Sequence, residues 1–265
     1  IFDNLFSDLV PFEGVEIYLH GSRADNTYNN FSDFDDLIVI DSKIITEPEY
    51  PLAKLVRVLN RVDMRFCKHD PLQHHGHWII DKNSLCAFNE SYMPLIVLKD
   101  AVPIKGSREI SFRINEQNSK EGLQKNIVNT ANNISKMYKQ FSEGRLNCYG
   151  LKCLVGSFSL IPAFLFQLQG IKINKPTAIN RANELFPADA IRCIEWASSL
   201  SNSWNIITTH SKYKYFKQYC RFFINPFLYR SFAAKFAPRI SVHTKENNLP
   251  SINNKMVESF LTRAL

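Results

Sequence analysis

The sequence predicts an α/β fold, with a small mixed sheet in the first half and only helices in the second half. Short apolar runs with strand character alternate with helical periodicity up to about residue 114. Only helical periodicity follows from residue 115 onward. A Gly-Ser turn at residues 21–22 connects a predicted strand to a short polar segment. We therefore expect two packed domains, residues 1–114 and residues 115–265.

The elements of the first half are predicted from their apolar patterns. Residues 37–40 form a continuous apolar run, which is typical of a strand buried on both faces. Residues 61–67 (RVDMRFC) alternate in polarity, which predicts a further strand. In chain order the predictions are a helix at 1–10, strands at 15–19 and 37–40, a helix at 47–60, a strand at 61–67, a strand starting at Trp78, a short helix at 94–99 and an edge strand at 102–105.

Longer helical patterns fill the second half. Gly144 and Gly170 each follow such a pattern, and glycine is favoured there because it adopts the left-handed conformation that ends many helices. The predicted helices span residues 115–143, 147–169, 176–185 and 188–200, with shorter helices after them.

The composition is that of a folded globular protein, since 45% of the residues are hydrophobic and 12% are aromatic. No apolar run approaches the roughly 20 residues that cross a bilayer, so we expect no membrane partner. Six scattered cysteines indicate reduced thiols and a cytoplasmic protein. No signal-peptide pattern is present, but the chain starts at Ile1 rather than Met, which leaves a preceding targeting segment open.

The formal net charge of +7 is concentrated in one part of the chain. Residues 197–245 contain no Asp or Glu but eight Lys and Arg residues. The rest of the chain is close to neutral. This distribution favours an anionic partner for the C-terminal region.

Residues 17–40 (IYLHGSRADNTYNNFSDFDDLIVI) carry the clearest chemical pattern. A turn at Gly21 and Ser22 presents backbone N–H groups and a hydroxyl, which suit phosphate oxygens. Asp33 and Asp35 are two residues apart, so on an extended strand both carboxylates project from the same face. Such a pair favours a bound Mg²⁺.

Asp63 supplies a third carboxylate. It lies on the strand predicted at 61–67, which could pair beside the other two acids. Three carboxylates beside a phosphate cradle fit a two-metal site for phosphoryl or nucleotidyl transfer. The alternative, in which Asp33 caps a turn and Asp35 and Asp36 are surface residues, leaves the Gly-Ser turn and the third acid unexplained.

This pattern resembles the DNA polymerase beta-like nucleotidyltransferase superfamily, and within it the minimal and antibiotic nucleotidyltransferases. The resemblance rests on Gly21-Ser22, on the Ser-Asp-Phe-Asp motif at residues 32–35 and on Asp63, and it covers residues 15–67. It implies a nucleotidyltransferase domain followed by helices. Asp36 departs from the pattern, which has an apolar residue there; a bulge or a side chain pointing to the opposite face would accommodate it.

The resemblance also implies roles for individual residues. Asp33 and Asp35 would bind both metal ions, Mg²⁺ or Mn²⁺, and Asp63 would bind the catalytic ion and help to activate the acceptor hydroxyl. The phosphates of a nucleoside triphosphate such as ATP would be held by Gly21, Ser22, Arg23 and Lys152. For Arg23 and Lys152, the alternative is a solvated position on the surface.

Four of the seven histidines lie within residues 69–77. Their spacing fits no tetrahedral zinc pattern, and no cysteine pair accompanies them. A plain loop leading into the next strand is one interpretation of this segment. The other is a metal site, or contact with a nucleobase or acceptor through His74, His75 and His77.

Residues 211–239 interleave cations with aromatic side chains. Such a segment suits single-stranded nucleic acid, and Lys214, Lys217 and Arg221 are the candidate acceptor contacts. The alternative is amphipathic helices with buried aromatics and solvated lysines.

The sequence therefore predicts a metal-dependent nucleotidyltransferase that uses an NTP as donor. The acceptor hydroxyl is mildly favoured to lie on a nucleic acid or oligonucleotide, for example an RNA 3′ end. A small molecule such as an antibiotic, or a protein hydroxyl, is the alternative. A non-catalytic nucleotide- or RNA-binding module is a further alternative, against which the intact Asp33, Asp35 and Asp63 argue.

Overall fold

The computed structural model describes residues 5–47, 52–98, 100–107, 110–114, 116–242 and 249–265. Four strands form one mixed sheet in the order β3-β2-β1-β4. Strand β1 is antiparallel to both β2 and β4, and β3 is parallel to β2. The strands are β1 (Val15–His20), β2 (Asp35–Ile40), β3 (Trp78–Asp81) and β4 (Val102–Lys105).

Helices make up most of the rest of the described chain. Leu5 and Phe6 end one helical segment, and the α-helices with assigned bounds follow it. They are α1 (Lys43–Thr46), α2 (Leu52–His69), α3 (Glu116–Ser142), α4 (Cys148–Leu168), α5 (Lys175–Asn180), α6 (Ala188–Asn202), α7 (Asn205–Thr208), α8 (Ser211–Tyr219), α9 (Pro226–Phe236) and α10 (Asn254–Ala264). Short 3₁₀ turns lie at Gly21–Arg23, Lys82–Ala87, Leu95–Leu98, Ala182–Glu184 and Cys220–Phe222.

Each face of the sheet is covered, as the apolar run in β2 predicted. Ile38 and Ile40 pack in a cluster with Val58 and Phe66 of α2. Leu37 and Val39, on the other face, pack with the segment that follows β3. Burial on both faces explains why β2 is apolar at consecutive positions rather than at alternate ones.

The predicted strand at 61–67 is wrong, because these residues belong to α2. Leu55, Leu59, Val62 and Phe66 are all buried, and their spacing of three or four residues places them on one helical face. No glycine or proline interrupts the segment before Pro71, so the predicted helix continues through it. The apparent alternation of RVDMRFC covers about two turns of that same helical pattern.

Most other predicted elements are confirmed within a few residues. The edge strand is β4, and the strand starting at Trp78 is β3. The helix predicted at 94–99 is a 3₁₀ turn over Leu95–Leu98, and the one predicted at 176–185 divides into α5 and a 3₁₀ turn. Gly144 and Gly170 both have positive φ angles, as expected after a helix. Of the helix predicted at 1–10, residues 1–4 lie outside the described residues.

The largest apolar cluster is built mainly by the helices after residue 115, but it continues into the first half of the chain. Phe31, Met64 and Leu72 belong to it. The division at 114 and 115 therefore stays a prediction.

Helix α4 confirms the helix predicted at 147–169, but it is apolar over more of its length than we expected. Its 21 residues pass the length and composition test for a membrane-crossing helix, so the statement that no run approaches that length is wrong. In the structure, however, 67% of its most apolar window is buried inside the protein. This is the environment of a core helix.

Candidate functional site

The candidate site lies at the end of the sheet where β1 finishes and β2 and β3 begin. Gly21 follows β1 and has a φ of +68°, a conformation that side chains with a Cβ rarely adopt. A Cβ at this position would also lie 3.0 Å from Oδ2 of Asp35. Glycine is thus favoured both by its backbone angle and by the closeness of Asp35. The predicted Gly-Ser turn and the predicted acidic pair do meet in space.

Asp36 points to the sheet face opposite Asp35, which is one of the two arrangements that would accommodate this acid. Its Oδ2 lies 2.6 Å from Nδ1 of His77, whose Nε2 lies 2.9 Å from the carbonyl oxygen of Leu59 in α2. Burial lowers the pKa of His77, but the charge of Asp36 outweighs it and raises the pKa to about 9. His77 is therefore a buried cation behind the sheet. This placement gives no support to its predicted contact with an acceptor.

Gln73 joins the acidic segment to the histidine segment. Its buried side-chain amide donates to the carbonyl oxygens of Phe34 (2.7 Å) and His75 (3.0 Å). Its carbonyl oxygen accepts from the N–H of Phe34 at 2.9 Å. Since Phe34 lies between Asp33 and Asp35, Gln73 fixes both carboxylates relative to His75.

His74 and His75 lie beside Asp33. The donor atoms of these three side chains are all within 4.8 Å of one another, and among the described residues they form a group that could hold a metal ion. Nδ1 of His74 is 2.9 Å from Oδ2 of Asp33. Burial, with a smaller effect from His74, lowers the pKa of His75 to about 4. His75 is thus a neutral imidazole with a nitrogen lone pair at pH 7.

Lys152 of α4 is fully buried and lies between two carboxylates. Its Nζ donates to Oδ1 of Asp33 at 2.5 Å and also to Oδ2 of Asp70. Burial lowers the pKa of Lys152, but the two carboxylates more than compensate and raise it above its usual range. The surface alternative for Lys152 is therefore wrong. Its predicted contact with phosphate remains a prediction, since both of its described partners are carboxylates.

Asp63 lies on α2, and both of its carboxylate oxygens are bonded to Arg230 of α9. The distances are 2.7 Å to Nη1 and 2.8 Å to Nη2. Asp63 is buried. The structure therefore gives the predicted third metal ligand a different partner, and its catalytic role stays a prediction.

Arg23 and Ser22 follow Gly21 in the same turn. The guanidinium of Arg23 donates to the carbonyl oxygens of Asp33 (3.0 Å) and Ser32 (3.3 Å), and it lies 3.8 Å from the ring centroid of Phe34. These contacts hold the acidic segment against the turn. Arg23 is therefore not simply solvated, whereas the predicted phosphate contacts of Ser22 and Arg23 remain predictions.

A second feature, the basic aromatic surface, lies on α8 and α9. Here it denotes the exposed cations and aromatic rings of residues 212–239. A groove of about 670 Å³ lies within it. Its lining residues are Lys212, Tyr215, Phe216, Tyr219, Phe232, Phe236, Pro238 and Arg239. Lys214, Lys217 and Arg221 are exposed, and Nζ of Lys217 lies 3.3 Å from the carbonyl oxygen of His69 at the end of α2.

Sequence reasoning missed Gln73, Asp70 and Arg230. Gln73 and Asp70 lie in the same short segment as His74 and His75. The high density of polar residues in that segment could have indicated that they belong to the site. Arg230 was counted only as one cation of the acid-free segment. Nothing in its local sequence indicates a buried carboxylate partner 167 positions away.

Comparison with known protein families gives one match. Residues 2–76 match the family model described as a nucleotidyltransferase domain. The matched segment contains Gly21, both Asp33 and Asp35, and the histidine pair, and it ends just before β3. No curated protein and no solved structure gave a significant match. The chain thus carries a nucleotidyltransferase domain at residues 2–76, consistent with the DNA polymerase beta-like nucleotidyltransferase superfamily.

Proposed function

We propose that the protein transfers a nucleotidyl group from an NTP to an acceptor hydroxyl, with the turn at Gly21 receiving the phosphates. The strongest support is the closeness of the two parts of the motif, since a Cβ at Gly21 would lie only 3.0 Å from Oδ2 of Asp35. Phosphate oxygens bound by the N–H groups of this turn would therefore lie beside the acidic pair. The acceptor oxygen attacks the α-phosphorus, the bond from that phosphorus to the α,β-bridging oxygen breaks, and pyrophosphate leaves.

A divalent cation held by Asp33 and its neighbours would neutralise the charge of the triphosphate. Asp33, His74 and His75 fit such a cation, because a carboxylate and two imidazoles supply suitable donor atoms. In the part of the chain that the structure describes, Asp35 is in no ion pair. Its carboxylate is therefore available to accept the proton that the acceptor hydroxyl loses.

The proposal is tested by incubating the protein with each α-³²P-labelled NTP or dNTP, a divalent metal salt, and total RNA, DNA oligomers, protein extract or aminoglycosides. We expect label to enter one acceptor class together with release of pyrophosphate. Asp35→Asn keeps the size of the side chain but removes its charge, so transfer should fall at least about a thousandfold while the fold persists.

Glu258→Gln on the exposed face of α10 is the matched control, because it removes one carboxylate far along the chain from the site. It should retain full transfer activity. Absence of label from every acceptor, without pyrophosphate, contradicts the proposed reaction. Unchanged turnover in Asp35→Asn contradicts the assigned site.

For the acceptor, we propose a single-stranded nucleic acid end that binds to the basic aromatic surface. Tyr215 is 63% exposed and Phe236 is 57% exposed, so their rings are open to stacking by bases. The surrounding segment has no acidic residue to repel a phosphate backbone. Helix α9 connects this surface to the site, because it also carries Arg230, which contacts Asp63 and approaches the carbonyl oxygen of His75.

Fluorescence anisotropy with labelled single-stranded RNA and DNA 12-mers, at several salt concentrations, tests this acceptor. Charge reversal of Lys214, Lys217 and Arg221 to Glu should weaken binding and reduce the slope of log K against log salt by about 2. Reversal of Lys125 and Lys136 on the exposed face of α3 is the control. Equal loss in both variants, or no binding by the wild type, would contradict a nucleic-acid acceptor.

A further inference from the structure

We propose that His74 and His75 complete the cation site of this domain with Asp33, and that the site therefore prefers a first-row transition-metal dication to Mg²⁺. The inference rests on the proposed function and specifies its metal. It assigns to imidazole nitrogens the place that the sequence predicted for the carboxylate of Asp63.

Asp63 is already neutralised by another side chain. Both of its oxygens accept hydrogen bonds from the guanidinium of Arg230, and the pair is largely enclosed by protein. A metal ion at Asp63 would displace this guanidinium and leave a buried cation without its partner, which is costly. Asp63 is thus poorly suited to hold a second cation.

The histidine pair places donor atoms beside Asp33. Nδ1 of His74 is buried and pairs with Oδ2 of Asp33 at 2.9 Å. A separation of roughly 3 Å is the distance between adjacent ligand atoms in an octahedral site with bonds of about 2.1 Å. A dication that replaced the imidazole proton would therefore be shared by this nitrogen and this oxygen without either atom moving.

The remaining contacts of Asp33 leave this oxygen available. Lys152 binds Oδ1, so Oδ2 is the oxygen that faces His74. Gln73 fixes the backbone on both sides, since it bonds Phe34 and His75 at once. The positions of the donors are thus set by buried hydrogen bonds before any ion arrives.

Ligand chemistry determines which ion such a site prefers. Mg²⁺ favours oxygen ligands, whereas imidazole suits Mn²⁺, Co²⁺ and Zn²⁺ progressively better. Replacing a carboxylate by two imidazoles shifts selectivity in that direction. Mn²⁺ and Co²⁺ are convenient probes, because free Mn²⁺ is measured by electron paramagnetic resonance and bound Co²⁺ by its visible absorption.

The test measures binding of each metal alone to the full chain, without nucleotide. The wild type should bind Mn²⁺ and Co²⁺ at least about tenfold more tightly than Mg²⁺. His74→Ala and His75→Ala should each weaken Co²⁺ binding by about tenfold or more and change its absorption band. His69→Ala, which removes an exposed histidine of the same segment, should leave both unchanged.

Two results overturn the inference. The first is that Mg²⁺ displaces bound Mn²⁺ when the two ions are at equal concentration. The second is that both histidine variants, shown to be folded by circular dichroism, bind Co²⁺ with wild-type affinity. Should the alanine variants not fold, His74→Gln and His75→Gln replace them with the same expected loss. A folded Asp63→Asn variant should keep its Co²⁺ affinity. Loss of that affinity would contradict the inference and indicate that Asp63 is a metal ligand.

These results are separable from the proposed reaction. A protein that binds Co²⁺ through the histidines but transfers no nucleotide contradicts the proposed function and leaves the metal site standing. A protein that transfers nucleotides with Mg²⁺, and whose metal binding ignores the histidines, contradicts only the present inference.

Discussion

At the scale of single residues, Gln73 connects the two segments that form the site. Its amide group forms the kind of two-way hydrogen bonding with Phe34 that a neighbouring strand would form. It also reaches the carbonyl oxygen of His75. One neutral side chain thereby aligns the acidic pair with the histidines, and it does so without adding charge to the site.

Replacing Gln73 by Leu should therefore harm both stability and catalysis. The change removes hydrogen bonds from buried backbone groups, and we expect the free energy of unfolding in urea to fall by about 2–4 kcal/mol. The kcat of nucleotidyl transfer should fall more than the KM for NTP changes, since Gln73 hydrogen-bonds the segments that carry Asp33, Asp35 and the histidines.

Gln124→Leu on the exposed face of α3 is the matched control and should change neither quantity. A Gln73→Leu variant with wild-type kcat would show that the alignment of Asp33 and Asp35 does not depend on this amide.

At the scale of elements, α2 and α9 are joined by the ion pair between Asp63 and Arg230. The pair is well buried, with side-chain exposures of 6% for Asp63 and 18% for Arg230. Its bidentate geometry matches that of the strong guanidinium–carboxylate pairs found in proteins. It fixes α9, which carries part of the basic aromatic surface, against the helix beneath the sheet.

Arg230→Met should be strongly destabilising, because it leaves the buried carboxylate of Asp63 without its cation. We expect a loss of about 3–5 kcal/mol in the free energy of unfolding, measured by urea denaturation at pH 7. The exposed pair of Arg192 and Glu195 provides the comparison. Arg192→Met should cost less than about 1 kcal/mol, and an equal effect of both substitutions would mean that the buried pair stabilises nothing.

The same helix shows what local sequence can and cannot reveal. The segments around Gly21 and Asp35 were predictable, because a turn residue and a spacing of two residues are local signals. The strand at 61–67 was mispredicted, because Val62, Met64 and Phe66 alternate as well as they follow a helical turn. Only the absence of a chain breaker before Pro71 distinguishes the two interpretations.

The contacts of Lys152, Gln73 and Arg230 were beyond local patterns altogether. Each depends on a partner that the fold brings from elsewhere, and Lys152 reaches Asp33 across 119 positions. The sequence supported the acidic pair and the turn, whereas the groups that hold the pair in place emerge only when the chain has folded.

At the scale of the whole molecule, charge and chemistry are divided between the two halves of the chain. The matched nucleotidyltransferase segment contains the turn, the acids and the histidines. The excess positive charge lies in the helices after residue 197. The apolar cluster that includes Phe31 and Met64 joins both parts, so the donor site and the proposed acceptor surface share one core.

Lys152 gives this arrangement a consequence for modularity. The buried ammonium that balances Asp33 and Asp70 comes from α4, outside the segment that matches the family. If residues 2–76 were grafted onto another protein, Asp33 and Asp70 would lack the ammonium group that pairs with both of them. We therefore expect that the matched segment cannot be transferred alone, because the helices that follow it supply part of the same site.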